Sequence, residues 1–288
     1  MYGEVVRYGK SVEEFAGLRK KGKHAKLTHP YKCAETATGK DLAEGRTRRM
    51  PEIGTLLQEG KGKRVYATED PDLAIVYYKD EAMAFHGLKR GRILGKGEVN
   101  NAICEHLFTL LRENGVESHF VERMDARHSL VKRCEMLCFA VKVRNRSAGN
   151  LNARTGIPVG VKLDPPVVEF VLKNTDFEED PLVNHSHIYA MKAATPEEME
   201  EITRVSLRVN EILTAYLKEI NIELIDFKLE FGRFHGQILV ADEISPDVAR
   251  FWDARTHEPL DMDRFRRDLG NTEQAYQELL RRMTGMED

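Results

Sequence analysis

At 288 residues the chain has length for one large domain or two smaller ones, and its 41% hydrophobic content can build a sizeable core. A formal net charge of -3 at pH 7 suits a soluble protein and argues against a general nucleic-acid binder. No apolar run approaches the ~20 residues that cross a bilayer, and the N-terminus has neither a signal-peptide core nor the acid-poor make-up of a transit peptide.

The cytoplasm is therefore the expected home. Cys33, Cys104, Cys134 and Cys138 form no Cys-x-x-Cys pair and read as reduced thiols. His185-Ser186-His187 has no third ligand close by and is a weak metal candidate.

Residues 1–52 are rich in Gly, Thr and Lys, and their basic residues outnumber the acidic ones. Ser11-Val12-Glu13-Glu14 resembles a capping box before a short helix with Phe15 and Leu18 on one side. This N-terminal extension reads either as an arm over the main body or a partner subunit, or as a disordered tail. From Ile53 a denser pattern begins. Residues 56–68 read as strand, Gly-rich turn and strand, and Leu73 to Tyr78 as a third strand. Gly91 to Gly97 reads as a mobile basic loop opening onto a helix over 98–113, where Val99, Ile103, Leu107, Leu110 and Leu111 recur at helical spacing. Such a loop can close over an anion, or simply connect.

Strands are expected near 119–124, 129–133 and 136–144, then a Pro-rich connection at 158–166 and a strand at 167–172. Thr195-Pro196-Glu197-Glu198 starts a helix that runs to about Ile220. Ile225 to Gly232 alternates apolar and charged residues, so Ile225, Phe227, Leu229 and Phe231 are expected on one face and Asp226, Lys228 and Glu230 on the other. A hairpin through Gly232 and Gly236 leads to a partner strand from Ile238 to Ile244, and a last helix covers about 271–283. The order of elements is that of an α+β protein, divided as 1–52, a small lobe at 53–138 and a larger lobe at 139–288.

Glu59-Gly60-Lys61-Gly62-Lys63 lacks Walker A spacing, but its glycines and lysines suit either a turn over nucleotide phosphates or a plain surface hairpin. Val143 to Asn150, with Arg144, Arg146, Ala148 and Gly149, suits a phosphate monoester or a charged strand exit. Asp242 can share a face with Asp226 and Glu230 across the hairpin, in a register the sequence leaves open. Carboxylates converging there call for Mg²⁺ and a nucleotide. Arg250 is placed to reach an anion beside that metal, or to pair with Asp247 or Asp253.

Taken in order, Glu59–Tyr66, Gly95–Asn101, Val143–Gly149, Asp180–Asn184, Ile225–Gly232 and Ala241–Asp247 resemble the SAICAR synthetase (phosphoribosylaminoimidazole-succinocarboxamide synthase) family over about residues 55–283. The resemblance implies a two-lobed fold related to ATP-grasp and kinase-like architectures, with the nucleotide between the lobes. It implies a ligase of purine biosynthesis that uses ATP and Mg²⁺ to join 5-aminoimidazole ribonucleotide carboxylate to L-aspartate. By matching position, Lys61, Lys63, Lys132 and Met136 would face ATP. Glu230 and Asp242 would bind Mg²⁺. Arg144, Asn150 and Arg250 would hold the substrate phosphate. Asp180, Asp226 and Lys228 would line the reaction centre. The implied partners are small molecules, with no nucleic acid or membrane, and a homo-oligomer is compatible with the pattern.

Four places depart from the family. Cys138 and Ala140 stand where it has Pro-x-Glu, Gly149-Asn150 where it has Gly-Ser, Asp261-Met262-Asp263 where it has Asp-Lys-Asp, and residues 1–52 extend its core. A paralogue with another carboxylate or amine would show such changes, as would drift in the purine enzyme. A nucleotide-binding regulator without catalysis is the alternative of another class.

Overall fold

The computed structural model describes residues 51–84, 87–173 and 180–285. The helix expected after Ser11 lies outside them. In chain order the described strands and helices begin with β1 (Leu56–Glu59), β2 (Lys63–Ala67), β3 (Leu73–Tyr78), β4 (Glu81–Ala84), β5 (Lys89–Arg92), α1 (Lys96–Glu113), β6 (Phe120–Arg123) and β7 (His128–Lys132). There follow β8 (Glu135–Arg146), α2 (Asn150–Thr155), β9 (Lys162–Leu172), β10 (Leu182–Val183), α3 (His185–Ala190) and α4 (Pro196–Glu219). The last are β11 (Ile222–Phe234), β12 (Gln237–Ala241), β13 (Ala249–Asp253), α5 (Asp263–Arg266) and α6 (Thr272–Thr284).

Two antiparallel sheets carry the α+β fold. The first has the order β1-β2-β3-β7-β6, and the second β10-β9-β8-β11-β12, with β13 also paired to β11. Helix α1 turns Val99, Ile103, Leu107 and Leu111 into the core, where Val76 and Tyr78 of the first sheet lie. Helix α4 adds Met199, Ile202, Val209, Leu213 and Leu217 to that core, beside Val141, Val143, Phe227, Leu229 and Phe231 of the second sheet. Each such Leu, Val or Phe contributes about 1.5–3 kcal/mol when fully buried, so one continuous core fixes both sheets.

The start of α4 follows the sequence signal. Thr195 accepts from the Glu198 N–H at 3.2 Å, the Glu198 carboxylate accepts from the Thr195 N–H at 2.9 Å, and Pro196 occupies the first turn. Glu198 also receives Arg233, at 2.7 and 2.9 Å, which ties the helix to β11.

Four expectations are corrected. The segment expected as a mobile loop at Gly91–Gly97 is a turn only over Ile93 to Gly95; Gly91 and Arg92 end β5, which pairs with β4, and Lys96 and Gly97 begin α1. The Pro-rich connection becomes strand from Lys162 onward, paired with β8. The partner strand ends at Ala241, because Asp242 takes φ +65°, a left-handed conformation that stops a strand. Ile225 does not join Phe227, Leu229 and Phe231. A bulge between Leu224 and Asp226 interrupts the pairing of β11 with β13, and the extra residue packs in a separate cluster with Ala148 and Trp252.

Candidate active site

The central pair of the second sheet sets the site. Strand β11 aligns Asp226 with Arg144, Lys228 with Lys142 and Glu230 with Ala140 on β8, while β9 aligns Glu169 with Lys142. Alternation sends Val141, Val143, Phe227 and Leu229 into the core and all of these partners to the opposite face. That face is charged yet largely enclosed. Arg144 is 2% and Asp226 5% exposed, so each charge there needs a partner.

At one end, Asp226 holds two arginines. Arg144 Nη1 donates to its carboxylate at 2.9 Å, and Arg250 Nη1 donates to both oxygens at 3.0 and 2.9 Å. Arg144 also donates to Glu169 at 2.7 Å and to the Asn150 carbonyl oxygen at 3.0 Å, and Arg250 to Asp263 at 2.8 Å. Asp226 and Asp263 outweigh burial and hold the Arg250 guanidinium above its ordinary pKa. Gly149 lies against that group. A Cβ there would sit 2.7 Å from Arg250 Nη2, and its φ of +60° with ψ −135° is one that glycine adopts freely. Arg250 therefore pairs with Asp226 and Asp263, not with Asp247 or Asp253. Two guanidinium groups thus lie together, bracketed by a glycine and an asparagine, with the planar donor geometry that suits an oxyanion.

At the other end the two sheets meet. Lys63, just past the Gly-rich turn, forms ion pairs with Asp242 and, at 2.9 Å, with Glu243. Burial works against the Lys63 ammonium, but both carboxylates outweigh it and hold its pKa above the lysine range. In return Lys63 and Lys228 hold Asp242 well below the ordinary carboxylate range despite its burial. His119 Nε2 lies 2.9 Å from the Asp242 carbonyl oxygen and fixes this turn; burial depresses its pKa to about 4, so it is a neutral donor. Glu230 accepts from Lys228 and from Lys173, each at 2.7 Å. The register places Glu230 opposite Ala241, so Asp242 lies one residue beyond it.

The remaining sequence candidates sit around this end. Lys61 is exposed on the turn. Lys132 Nζ lies 5.8 Å from the Phe234 ring centre and 3.9 Å from Glu117. Met136 pairs with Gly232 and is partly exposed. Asp180 is half-buried, and its charge acts on Lys142.

The Gly95-Lys96-Gly97 segment is not an anion clasp. Lys96 is buried and donates to Asp247 at 2.6 Å, while Tyr276 donates to the other Asp247 oxygen at 2.8 Å. This buried pair braces the Gly-rich turn, since Gly62 would bring a Cβ to 3.4 Å from Asp247 Oδ2. Gly97 permits close packing, as a Cβ there would lie 2.4 Å from the Tyr78 carbonyl oxygen. His187 caps the short helix α3 through Asn184, and His185 contacts the Phe170 and Tyr189 rings.

Sequence reasoning missed Glu169, Lys173, Glu243, Asp263 and His119. Glu169 had a local signal, as the one charged residue within Val167 to Leu172, and Glu243 and Asp263 lay within segments compared with the family.

The carboxylates Glu230 and Asp242 are hard oxygen donors, the kind Mg²⁺ takes together with substrate phosphates. Among the described residues no group of three or more potential ligands converges. A cation here would thus rely on two carboxylates, phosphate oxygens and water, and would take the place of the lysines now paired with those carboxylates. The donor set fits on these terms.

The fold, and a largely enclosed face of paired lysines, arginines and carboxylates, are those of an enzyme that handles anionic substrates. A sequence model of the SAICAR synthetase family matches residues 56–283. The chain is 54% identical over 229 residues to the phosphoribosylaminoimidazole-succinocarboxamide synthase of Coprothermobacter proteolyticus, covering 79% of this chain and 97% of that protein. It is 52% identical to that of Brevibacillus brevis, covering 80% and 96%. A SAICAR synthetase solved in complex with ADP superimposes with a TM-score of 0.78 at 41% identity, covering 80% of this chain and 98% of that one. The chain belongs to the SAICAR synthetase family. No helix among its described residues is long and apolar enough to cross a membrane.

Proposed function

We propose that the protein is the ATP-dependent ligase that joins 5-aminoimidazole ribonucleotide carboxylate to L-aspartate and releases ADP and phosphate. The observation that carries this is the joint presence, on one enclosed face, of the arginine fork at Asp226 and the lysine–carboxylate cluster at Glu230 and Asp242. The ADP-bound relative, at 41% identity, supports nucleotide use.

A carboxylate is a poor acyl donor. In the proposed reaction its oxygen attacks the γ-phosphorus of ATP, the bond to the bridging oxygen breaks, and ADP leaves. The resulting acyl phosphate is attacked by the amine of aspartate, phosphate departs with the C–O bond electrons, and the ammonium proton is lost to give the amide. Lys61 and Lys63 on the Gly-rich turn would hold the ATP phosphates, with Lys132 and Met136 beside the nucleotide. Arg144, Asn150 and Arg250 would fix the ribonucleotide phosphate. Asp226 would orient both arginines, and Lys228 and Asp180 would flank the reacting carboxylate. Glu230 and Asp242 would hold Mg²⁺, which when bound neutralises charge on the transferring phosphoryl group. Catalysis is then mostly positioning and charge neutralisation.

In this reading residues 53–138 form the nucleotide lobe and 139–288 the substrate and metal lobe, in an enzyme of the cytoplasm. The relatives that share half of its residues carry one and the same name, which favours the purine enzyme over a paralogue, and the complete set of charged residues disfavours an inert regulator.

The test is purified protein with ATP, Mg²⁺, the ribonucleotide carboxylate and L-aspartate, following ADP and succinocarboxamide. Equimolar formation of both, dependent on all four additions, is expected. ADP release only with a different amine or acid, or no turnover despite ATP binding, would overturn the proposal.

A further inference from the structure

We infer that Lys142 is a binding residue for a substrate carboxylate, a role that deepens the ligase reading and rests on it. Lys142 occupies the middle of the charged face. Its backbone pairs with Lys228 on β11 and with Glu169 on β9, and Arg144 and Ala140 are its same-face neighbours along β8. Every other cation described on this face has a carboxylate. Arg144 has Asp226 and Glu169, Arg250 has Asp226 and Asp263, and Lys173 and Lys228 share Glu230. Glu169, the acid directly across from Lys142, is taken by Arg144 at 2.7 Å and Arg154 at 2.6 Å. Among the described residues Lys142 donates no hydrogen bond and forms no ion pair. Asp180 and Asp226 act on it only at longer range, and burial together with the Arg144 charge pulls its pKa below the ordinary lysine value.

A half-buried ammonium without an acceptor is costly to keep unless something fills the vacancy in its hydrogen-bonding. Its position says what. The arginine fork at one end suits the phosphate, and the Lys63, Asp242 and Glu230 cluster at the other suits ATP and the metal. Lys142 lies one same-face step from Arg144 and one from the position opposite Glu230, a spacing of roughly 7 Å each way along the strand. Between those two ends the reaction must seat the imidazole carboxylate that is activated and the carboxylates of the amine acceptor. Both are carboxylates, and an ammonium beside Lys228 recognises either.

The test compares wild type with Lys142→Met and Lys142→Arg in steady-state assays that vary aspartate, ribonucleotide carboxylate and ATP in turn. Lys142→Met should raise KM for one carboxylate substrate about 10- to 100-fold, leave KM for ATP within twofold, and leave the melting temperature equal or higher because a desolvated charge is removed. Lys142→Arg should recover most of the lost affinity. A rise confined to aspartate places the acceptor there, and one confined to the ribonucleotide places the activated carboxylate. Unchanged KM for both, or a parallel rise for all three substrates, would overturn the assignment. Calorimetric titration of L-aspartate and of the ribonucleotide into each protein repeats the comparison without turnover. A wild type that binds both yet makes no succinocarboxamide would sink the ligase reading and leave the Lys142 comparison intact.

Discussion

Asp226→Asn is the sharpest single perturbation of the charged face. The Asp226 carboxylate accepts three charge-assisted hydrogen bonds from Arg144 and Arg250 and is buried with them. Losing one partner of a fully buried ion pair costs about 3–5 kcal/mol. Here each arginine keeps a second carboxylate, Glu169 or Asp263, so the loss is smaller, about 2–4 kcal/mol. An Asn oxygen can still accept one bond, but its amide turns a donor toward a guanidinium. For a domain of this size each kcal/mol shifts the melting temperature by about 2–4 °C, so a fall of roughly 5–15 °C is expected. A bound phosphate would return the missing negative charge to the fork. The ribonucleotide should therefore raise the melting temperature of the variant by more degrees than that of wild type. Differential scanning fluorimetry, with and without ribonucleotide, reads both. A variant that melts within 1–2 °C of wild type (about 0.5 kcal/mol), or that gains no extra protection from ligand, would refute the idea that Asp226 organises the arginine pair.

Gly149→Ala places a methyl group against Arg250 and forces a left-handed backbone, a strain of about 1–3 kcal/mol. It should raise KM for the ribonucleotide about tenfold with little change for ATP, and an equal effect on both would contradict the phosphate fork. Glu230→Gln removes the negative charge of one proposed metal donor and replaces one of the two oxygens that accept from Lys173 and Lys228 with an amide nitrogen. Turnover should fall on the order of 100-fold or more and the Mg²⁺ midpoint should rise, with the circular dichroism spectrum unchanged; a normal Mg²⁺ titration counts against the assignment. His119 is buried as the neutral ring with its pKa lowered to about 4, while the unfolded chain takes up the proton near pH 6.5. Stability it contributes is thus present above pH 6.5 and is lost as pH falls toward 4, by up to about 3 kcal/mol. His119→Gln should flatten that part of the urea-unfolding profile, and an unchanged slope would show that another group titrates there.

What was legible in the sequence is what depends on neighbours along the chain. The alternation from Asp226 to Phe231 dictated which side chains face the core, and Thr195-Pro196-Glu197-Glu198 dictated where α4 begins, because both signals act within a few residues. What was illegible depends on residues far apart. Nothing near Lys96 says that Asp247 will bury it, and a Gly-Lys-Gly triplet looks the same whether it clasps an anion or packs against a carbonyl. The bulge at Ile225 arises from the pairing with β13, a strand the sequence pattern did not show. Lys173 reaches Glu230 from the end of β9, and no local spacing announces it.

The departures from the family pattern separate on the same basis. Met262 is not a cation missing from the site, since it is 3% exposed and packs in a cluster with Ala82 and Ile93, with its sulfur 3.5 Å from the Tyr276 hydroxyl oxygen. Asn150 does stand at the site, and it serves Arg144 with its carbonyl oxygen while leaving its amide free to donate. In the proposed phosphate site that amide would take the place of a hydroxyl. Ala140 has the larger consequence. It is the residue opposite Glu230 on β8, so a carboxylate there would stand beside Glu230, and its absence leaves one acid shared by two lysines. This end of the face is therefore more cationic than one with paired acids. One same-face position along, Lys142 adds a further positive charge without a carboxylate partner among the described residues. The two residues act in one direction, toward tighter holding of an anionic substrate, and Ala140→Glu should raise KM for the same carboxylate substrate that Lys142→Met affects. A variant with improved affinity for that substrate would show that the extra acid recruits metal rather than repelling the anion.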